Sequence, residues 1–250
     1  MSEQTLKGRK ALVTGGASGI GAACCRRLAA LGAEVTVADL DGEGASRVAR
    51  ELNGTAWRVD LSDTAALARV PVDVDILVNN AGIQHVSPVQ EFPPEKFALM
   101  MRIMVEAPFL LIRAALPGMY QRGFGRIVNI SSVHGIRASP FKSAYVTAKH
   151  AIEGLSKVVA LEGGPKGVTS NTVCPGYVRT PLVEKQIADQ AKVHGIPESE
   201  VVSKVMLEGS AIKRLIEPEE VADLVAFLCG PTAGFATGAS YVMDGGWSAR

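Results

Sequence analysis

The sequence predicts an α/β fold in which a doubly wound parallel sheet carries helices on both faces. Short β-branched runs alternate with longer segments whose apolar residues recur at spacings of three and four. A glycine-rich turn follows the first of these runs. Because 250 residues with 47% hydrophobic side chains can bury one large core, we expect a single domain that spans residues 1–250.

Seven runs have the length and composition of buried strands. They lie at residues 11–14, 34–38, 56–59, 76–78, 126–130, 169–173 and 240–243. Segments between them have the period of helices that pack on a sheet, at 21–31, 95–120, 144–161 and 218–228. This alternation predicts parallel strands joined by right-handed crossovers.

One segment departs from the alternation. Residues 177–214 are polar and helical and follow the sixth run. Long insertions at strand ends commonly form lids or binding loops, and a surface helical pair is the alternative. We expect a small helical lid over about 177–215, at the substrate end of the domain.

Charge and cysteine content narrow the function class. Lys+Arg total 26 and Asp+Glu total 25, so no basic field attracts nucleic acid or an anionic membrane. A polar N-terminus and the lack of an apolar run of ~20 residues predict a cytoplasmic protein with no membrane partner. The four cysteines have no metal-ligand spacing, so we expect buried thiols and no metal. A small-molecule ligand fits this composition best.

The glycine-rich turn is a candidate pyrophosphate site. Gly15, Gly19 and Gly21 stand between the first strand and the first helix, where the backbone can approach phosphates closely. The helix N-terminus adds N–H donors and a partial positive charge. Because the spacing is not the usual GxGxxG, the turn alone is weak evidence.

Asp39 ends the second predicted strand, 18 residues after Gly21. A carboxylate there can accept hydrogen bonds from the adenosine ribose hydroxyls and would repel a 2′-phosphate. Since no arginine adjoins it, we predict NAD rather than NADP, with a solvated turn acid as the alternative. Further along the same sheet edge, Asp60 could bind the adenine amino group and residues 80–82 (NAG) could wall the cleft.

Tyr145 and Lys149 form a candidate acid/base pair. Four residues apart in a helical segment, they share one face. A nearby ammonium lowers a tyrosine pKa from its reference of ~10, which suits a general base for an alcohol. Such a pair recurs by chance, but Ser131 and Ser132 end the fifth strand at the edge where α/β sheets bind ligands. Ser132 could therefore hydrogen-bond the reacting oxygen.

Together these motifs resemble the short-chain dehydrogenase/reductase family over essentially the whole chain. The resemblance rests on residues 14–21 (TGGASGIG), 79–82 (NNAG), 132, 145–149 (YVTAK) and 175–176 (PG). It implies a Rossmann-type seven-stranded sheet, hydride transfer between a nicotinamide and a carbinol carbon, and commonly a homotetramer. It also implies catalytic roles for Ser132 at the substrate oxygen, Tyr145 as acid/base and Lys149 at the nicotinamide ribose. The implied NAD-binding residues are Gly15, Ser18, Gly19, Ile20, Gly21, Asp39, Asp60, Leu61, Asn80, Ala81, Gly82, Tyr145, Lys149, Pro175, Gly176, Val178 and Thr180.

One position departs from the family pattern. Alignment through residues 114–117 (AALP) puts Met104 where most members have an asparagine that holds a water of a proton relay. A methionine side chain cannot hydrogen-bond that water. Either a backbone carbonyl binds the water instead, or the proton leaves by another route that involves Glu106. An ordinary helix-surface acid is the alternative for Glu106. We expect activity to survive because the Ser, Tyr and Lys are intact.

A second group of motifs is similar to the bacterial D-3-hydroxybutyrate dehydrogenases of this family. It comprises residues 83–86 (IQHV), 132–135 (SVHG), 142–145 (KSAY) and 178–186 (VRTPLVEKQ). The resemblance implies that Gln84, His134, Lys142 and Gln186 hold a substrate carboxylate, in part through a charged Lys142 and a chargeable His134. For each of these four, an ordinary loop or surface role is the alternative.

Two aromatic residues complete the expected substrate site. Tyr177 stands where the similar enzymes often have a tryptophan against the substrate methyl, and Trp247 contacts either substrate or a second subunit. The expected ligand is a small anionic 3-hydroxy acid or its keto acid, interconverted with NAD. Alternatives are a 3-oxoacyl reductase, a sugar-alcohol dehydrogenase and, least favoured, a non-catalytic nucleotide-binding sensor.

Overall fold

Seven parallel strands form one sheet in the computed structural model, which describes residues 5–249 apart from the side chains of Leu182 and Lys185. The strands are β1 (Lys10–Thr14), β2 (Glu34–Asp39), β3 (Thr55–Arg58), β4 (Ile76–Asn79), β5 (Gly125–Ile130), β6 (Val168–Pro175) and β7 (Ser240–Met243). Their order is β3-β2-β1-β4-β5-β6-β7, and every neighbouring pair is parallel. The predicted Rossmann-type sheet is confirmed, with each strand within two residues of its predicted bounds.

Helices cover both faces of the sheet. They are α1 (Gly19–Ala30), α2 (Gly42–Glu51), α3 (Thr64–Leu67), α4 (Pro94–Met101), α5 (Ala107–Arg122), α6 (Ser143–Gly163), α7 (Pro181–His194), α8 (Glu198–Val201) and α9 (Pro218–Cys229). The helix predicted over 95–120 is instead α4 and α5, joined by a π-helical stretch at Arg102–Glu106. The helices α2 and α3 were not predicted, because the buried residues of α2 are mostly small and α3 is only four residues long.

Two apolar cores flank the sheet, as alternation along buried parallel strands requires. Val13 points into the core beneath α1 and α9, while its neighbour Leu12 points into the core beneath α5. All four cysteines are buried and unpaired, as predicted. None of the described helices combines the length and apolarity needed to cross a bilayer.

The strand order creates a crevice at the carboxyl ends of β1 and β4. The chain runs outward from β1 to β2 and β3 and then returns to β4 on the other side of β1. At such a switch point the loops that leave adjacent strands separate, which is where open α/β sheets bind ligands.

The segment between β6 and α9 is helical, as predicted, and has a small core of its own. Thr180 caps α7 by accepting a hydrogen bond from the amide of Val183. Val183 packs with Val201 and Met206 of the following helical turns. The segment is thus an ordered unit at the edge of the crevice.

Candidate active site

A cleft of about 430 Å³ runs along the carboxyl edge of the sheet. Residues from the glycine-rich turn, the strand ends, α6 and α7 line it. The predicted site residues in its wall are Gly15, Ser18, Gly19, Ile20, Asp39, Asp60, Leu61, Asn80, Ala81, Gly82, Gln84, Ser132, His134, Lys142, Tyr145, Lys149, Pro175, Gly176, Tyr177, Val178, Thr180 and Gln186. Folding therefore brings nearly all of these distant segments to one cavity, although Gly21 and Trp247 lie outside its lining.

The glycine-rich turn needs glycine at Gly15 and Gly19. Their φ angles are +63° and +52°, in the left-handed region that side chains disfavour. A Cβ on Gly15 would lie 2.9 Å from Asn80 Nδ2. Ser18 begins α1 without a side-chain cap, so the first amides of the helix form a donor-rich end at the cleft. This geometry fits a pyrophosphate.

Gly21 supports the turn from behind. A Cβ there would collide with the carbonyl oxygen of Gly15. Asn80 supports it too, since its Nδ2 donates to the carbonyl oxygens of Thr14 (2.9 Å) and Gly15 (3.1 Å). Gly21 thereby allows the helix and the turn to pack closely, and its contact with the cofactor stays a prediction.

Asp39 joins the end of β2 to the glycine-rich turn. Its Oδ2 accepts from the amide of Ala17 (3.0 Å) and its Oδ1 from the amide of Asp41 (3.0 Å). The carboxylate is thereby held at the cleft wall. Asp60 lies nearby and is exposed; hydrogen bonds from Ser62 lower its pKa.

Ser132, Tyr145 and Lys149 meet in the middle of the cleft. Ser132 follows β5 and hydrogen-bonds the Tyr145 hydroxyl, and its Oγ accepts from the amide of His134 (3.1 Å). Tyr145 and Lys149 occupy one face of α6, with the ammonium 5.4 Å from the phenol ring centroid. Lys149 Nζ donates to the carbonyl oxygen of Ile130 (2.6 Å). The arrangement brings the hydroxyls of Ser132 and Tyr145 and the ammonium of Lys149 to the same part of the cleft.

Burial dominates the protonation of this group. It raises the pKa of Tyr145 to about 12, although the hydrogen bond with Ser132 acts in the opposite direction. It lowers the pKa of Lys149 to about 8. The expected lowering of the Tyr145 pKa is thus reversed in this arrangement, because desolvation penalises both charged forms and the ammonium is directed at Ile130.

Polar side chains gather beside the Tyr145 hydroxyl. Lys142 is 4% exposed, and its Nζ donates to the Tyr177 hydroxyl (3.0 Å). Gln186 reaches the cleft from α7 and is 8% exposed, while Gln84 reaches it from the loop after β4. A buried ammonium and two amides thus line the same cavity as the Ser, Tyr and Lys.

His134 lies in this group as a neutral side chain. Its Nε2 hydrogen-bonds Ser139 Oγ (2.9 Å) and its Nδ1 lies 3.4 Å from Ser132 Oγ. Burial, reinforced by the charge of Lys142, lowers its pKa to about 3. Burial at 6% exposure thus favours the neutral form of His134 over the chargeable one expected from the sequence, and its contact with a substrate carboxylate stays a prediction.

Trp247 stands behind His134. The two ring centroids are 6.0 Å apart, and Trp247 is outside the cleft lining. The ring thus backs a residue that lines the cleft, and its two alternative contacts, to substrate or to a second subunit, stay predictions. A Cβ on Gly209 would also meet the indole at 2.5 Å, so the ring is fixed between the C-terminal turn and the segment after α8.

Met104 packs in an apolar seam between α4 and α6. It is 3% exposed and clusters with Met100, Ala144 and Ala148. The π-helical stretch widens the helix at this point, beside the cleft residue Ile103. Glu106 is exposed and outside the cleft lining, which favours its alternative as a surface acid.

Some cleft residues were not predicted. Ile83, Ile103 and Val183 form apolar parts of the wall, and Ser139 orients His134. Which apolar side chains of a loop or helix face a cavity depends on the fold, so only the folded chain reveals them. The bond between Lys142 and Tyr177 was also missed, because the two residues are 35 apart in the sequence.

Comparison with known proteins supplies the class. A family model described as "Enoyl-(Acyl carrier protein) reductase" matches residues 15–248. A D-beta-hydroxybutyrate dehydrogenase of Rhizobium meliloti is 45% identical, with 97% of this chain and 99% of that protein covered. One of Cupriavidus necator is 42% identical, with 98% and 100% covered. An acetoacetyl-CoA reductase of Rhizobium meliloti is 37% identical, with 95% and 98% covered.

Solved structures agree with this class. A "short chain dehydrogenase/reductase family protein" superposes with a TM-score of 0.87 at 36% identity, over 98% of this chain and all of that chain. A putative 2-deoxy-D-gluconate 3-dehydrogenase of Agrobacterium tumefaciens with bound NADP gives 0.87 at 33% identity, over the full length of both. This chain is an oxidoreductase by its class. It belongs to the short-chain dehydrogenase/reductase family, and its similar relatives include D-beta-hydroxybutyrate dehydrogenases.

Proposed function

We propose that this protein interconverts D-3-hydroxybutyrate and acetoacetate with NAD. The observation that carries the proposal is the buried Lys142 ammonium in the same cleft as Ser132 and Tyr145. A short acid with a hydroxyl two carbons from its carboxylate would place the carboxylate at Lys142 and the hydroxyl at Ser132 and Tyr145. The names of relatives with 45% and 42% identity support the same substrate.

The cofactor end of the cleft fits NAD. The turn at Gly15 and Gly19 would hold the pyrophosphate, and Asp39 would accept from the adenosine ribose hydroxyls. Asp39 would repel a 2′-phosphate, which supports NAD even though one structural neighbour carries NADP. When bound, the nicotinamide supplies the hydride acceptor of the oxidation.

The chain's own residues would move the proton. Ser132 would donate a hydrogen bond to the substrate oxygen and Tyr145 would take the hydroxyl proton. Lys149 would stabilise the phenolate once its ammonium turns from Ile130 toward the site. In the reverse direction Tyr145 would return the proton to the carbonyl oxygen. Burial keeps water from competing for these bonds.

The carboxylate would be held at the other end. Lys142 supplies the ionic donor, while Gln84, Gln186 and neutral His134 supply uncharged donors. We propose that residues 177–215 act as a lid of the single domain, because α7 carries Gln186 to the cleft. Closing on the carboxylate would exclude water before hydride transfer.

We also propose a cytoplasmic homotetramer. Apolar side chains remain exposed on the outer faces of three helices, namely Phe109 of α5 (47%), Leu161 of α6 (80%) and Phe227 of α9 (50%). Contacts between copies would bury such side chains. Sedimentation velocity at several protein concentrations tests this assembly.

The defining experiment measures NADH formation with NAD and each enantiomer of 3-hydroxybutyrate, with NADP in parallel. We expect turnover of the D enantiomer with NAD and its loss in Tyr145→Phe. Tyr120→Phe is the matched control, because Tyr120 belongs to α5, packs against the core beneath that helix and lies outside the cleft lining. Protein that binds NADH but turns over neither enantiomer would refute the substrate and redirect the search to other hydroxy acids and sugar alcohols.

A further inference from the structure

Glu153 is a buried carboxylate that the proposed chemistry does not use. It lies one helical turn after Lys149 on α6 and is 6% exposed. Its Oε2 accepts from Thr172 Oγ1 (2.8 Å) and from Ser240 Oγ (2.6 Å). Its Oε1 accepts from the Cys174 thiol (3.1 Å). Three donors from β6 and β7 thus converge on one side chain.

All three groups that contact Glu153 can donate a hydrogen bond, as a carboxylate requires. Both of its oxygens act as acceptors, and the 2.6 Å contact from Ser240 is as short as is typical of a hydroxyl bound to a carboxylate. A buried negative charge with only neutral donors is costly unless a cation is near. Among the described residues, no ion pair within 4.0 Å joins it to a basic side chain.

The ionisable groups around Glu153 are few. On its own helix Lys149 lies four residues before it and is buried, whereas His150 and Lys157 are exposed. On β6 the titratable group is Cys174. β7 presents Ser240, while α4 and the π-helical stretch pack Met100 and Met104 against α6. In the single turn 133–135, His134 turns its ring to Tyr145 and Trp247. Lys149 is therefore the cation on which the charge of Glu153 acts.

Glu153 also touches the loop that carries the site. A Cβ on Gly135 would lie 3.0 Å from Glu153 Oε1, so the turn after Ser132 rests on the carboxylate. Lys149 needs a counter-charge here, because burial lowers its pKa to about 8 while Cys174 and Glu153 oppose that lowering. The carboxylate lies behind the reacting atoms, where it cannot contact substrate without displacing this turn.

We propose that Glu153 is a positioning residue that keeps Lys149 protonated and thereby supports the ionisation of Tyr145. Its effect on turnover rests on the proposed function, whereas its effect on Lys149 does not. A purely structural role, in which Glu153 only ties α6 to β6 and β7, predicts a loss of stability without a change in the titration of Lys149.

The test measures the titration of Lys149 directly. Competitive labelling of the whole protein with acetic anhydride, read by mass spectrometry of the Lys149 peptide, gives the pH midpoint of amine reactivity. The reagent can enter because Lys149 lines the cleft. In Glu153→Gln we expect the midpoint to fall by about one pH unit, since Glu153 follows Lys149 by four residues on one face of α6 and a nearby opposite charge shifts a pKa by about 1 to 3 units. Glu162→Gln, on the exposed end of α6, should leave it unchanged.

A second variant and a pH profile of kcat/KM complete the experiment. Glu153→Met removes the charge with an apolar side chain and should produce the same shift, with retained NADH binding as evidence of folding. In both Glu153 variants the acid limb of kcat/KM for NAD-dependent oxidation should move to higher pH, because Tyr145 loses support for its phenolate. A shifted labelling midpoint without turnover of 3-hydroxybutyrate would refute the proposed substrate and leave the role of Glu153 standing.

Labelling curves that superimpose for the native protein and both Glu153 variants would overturn the inference. So would a native Lys149 midpoint well below neutral pH, which shows the amine uncharged despite the carboxylate. The second result needs no variant and holds even if both substitutions prevent folding.

Discussion

Replacing Lys142 with methionine tests the proposed substrate site most sharply. The Lys142→Met substitution keeps the length and apolar stem of the side chain but removes the ammonium. In the folded protein this ammonium is 4% exposed and donates to the Tyr177 hydroxyl at 3.0 Å. With so little water around it, a carboxylate in the cleft would receive a charge-assisted hydrogen bond that solvent cannot replace.

The expected loss follows from that burial. A hydrogen bond to a charged group is worth about 1.5–3 kcal/mol, and low exposure puts Lys142 at the upper end. About 3 kcal/mol corresponds to a decrease of roughly 150-fold in kcat/KM for D-3-hydroxybutyrate. The methyl ester of the same hydroxy acid lacks the charge, so its much lower kcat/KM should change by less than about threefold.

The assay compares NADH formation from the acid and the ester in native protein, in Lys142→Met and in Lys157→Met. Lys157 lies on α6 and is exposed, so its variant controls for the loss of one positive charge. Equal losses for acid and ester would refute the reasoning, because Lys142 would then support the fold of the site rather than the carboxylate.

Four further outcomes are expected. Asp39→Ser should raise the preference for NADP over NAD by about tenfold or more in kcat/KM, since a carboxylate repels a 2′-phosphate; an unchanged ratio would contradict the assigned contact. Gly21→Ala should weaken NADH binding by more than about tenfold in fluorescence titration, because its Cβ would collide with the Gly15 carbonyl oxygen; native affinity would show that the turn tolerates the shift. Met104→Asn should change turnover at neutral pH by less than about tenfold; a larger gain in turnover would show an impaired proton relay. The same variant should lower the unfolding free energy by about 2 kcal/mol, because the amide enters an apolar seam. Oxidation should rise and reduction stay nearly constant from about pH 7 to about pH 9, because burial raises the pKa of Tyr145 to about 12, which leaves its phenolate scarce and its phenol almost fully populated over that range; parallel pH profiles in both directions would exclude Tyr145 as the titrating group.

Local signals were sufficient for most of the fold. Strand runs such as 76–78 matched the structure because a buried parallel strand needs a continuous apolar run, which the sequence displays directly. The long helix over 95–120 was predicted without its π-helical stretch, since a change of helical register leaves the apolar spacing nearly intact. The helix α2 was missed for a different reason, because its buried face consists of small residues among many charged ones, which makes an apolar stripe hard to recognise.

The sequence by itself determined the residue types at the site: the glycine-rich turn, Asp39 at a strand end, and the Tyr145–Lys149 spacing on one helix face. These depend on local geometry, so neighbours along the chain suffice to recognise them. Only the tertiary structure decided their protonation and support. The packing of distant segments decides that His134 is neutral, because it excludes water from the imidazole. It also decides where Trp247 stands and that Glu153 is buried behind Lys149. The desolvation that shifts these pKa values is produced by segments that are distant in the sequence, so no single stretch of the chain reveals it.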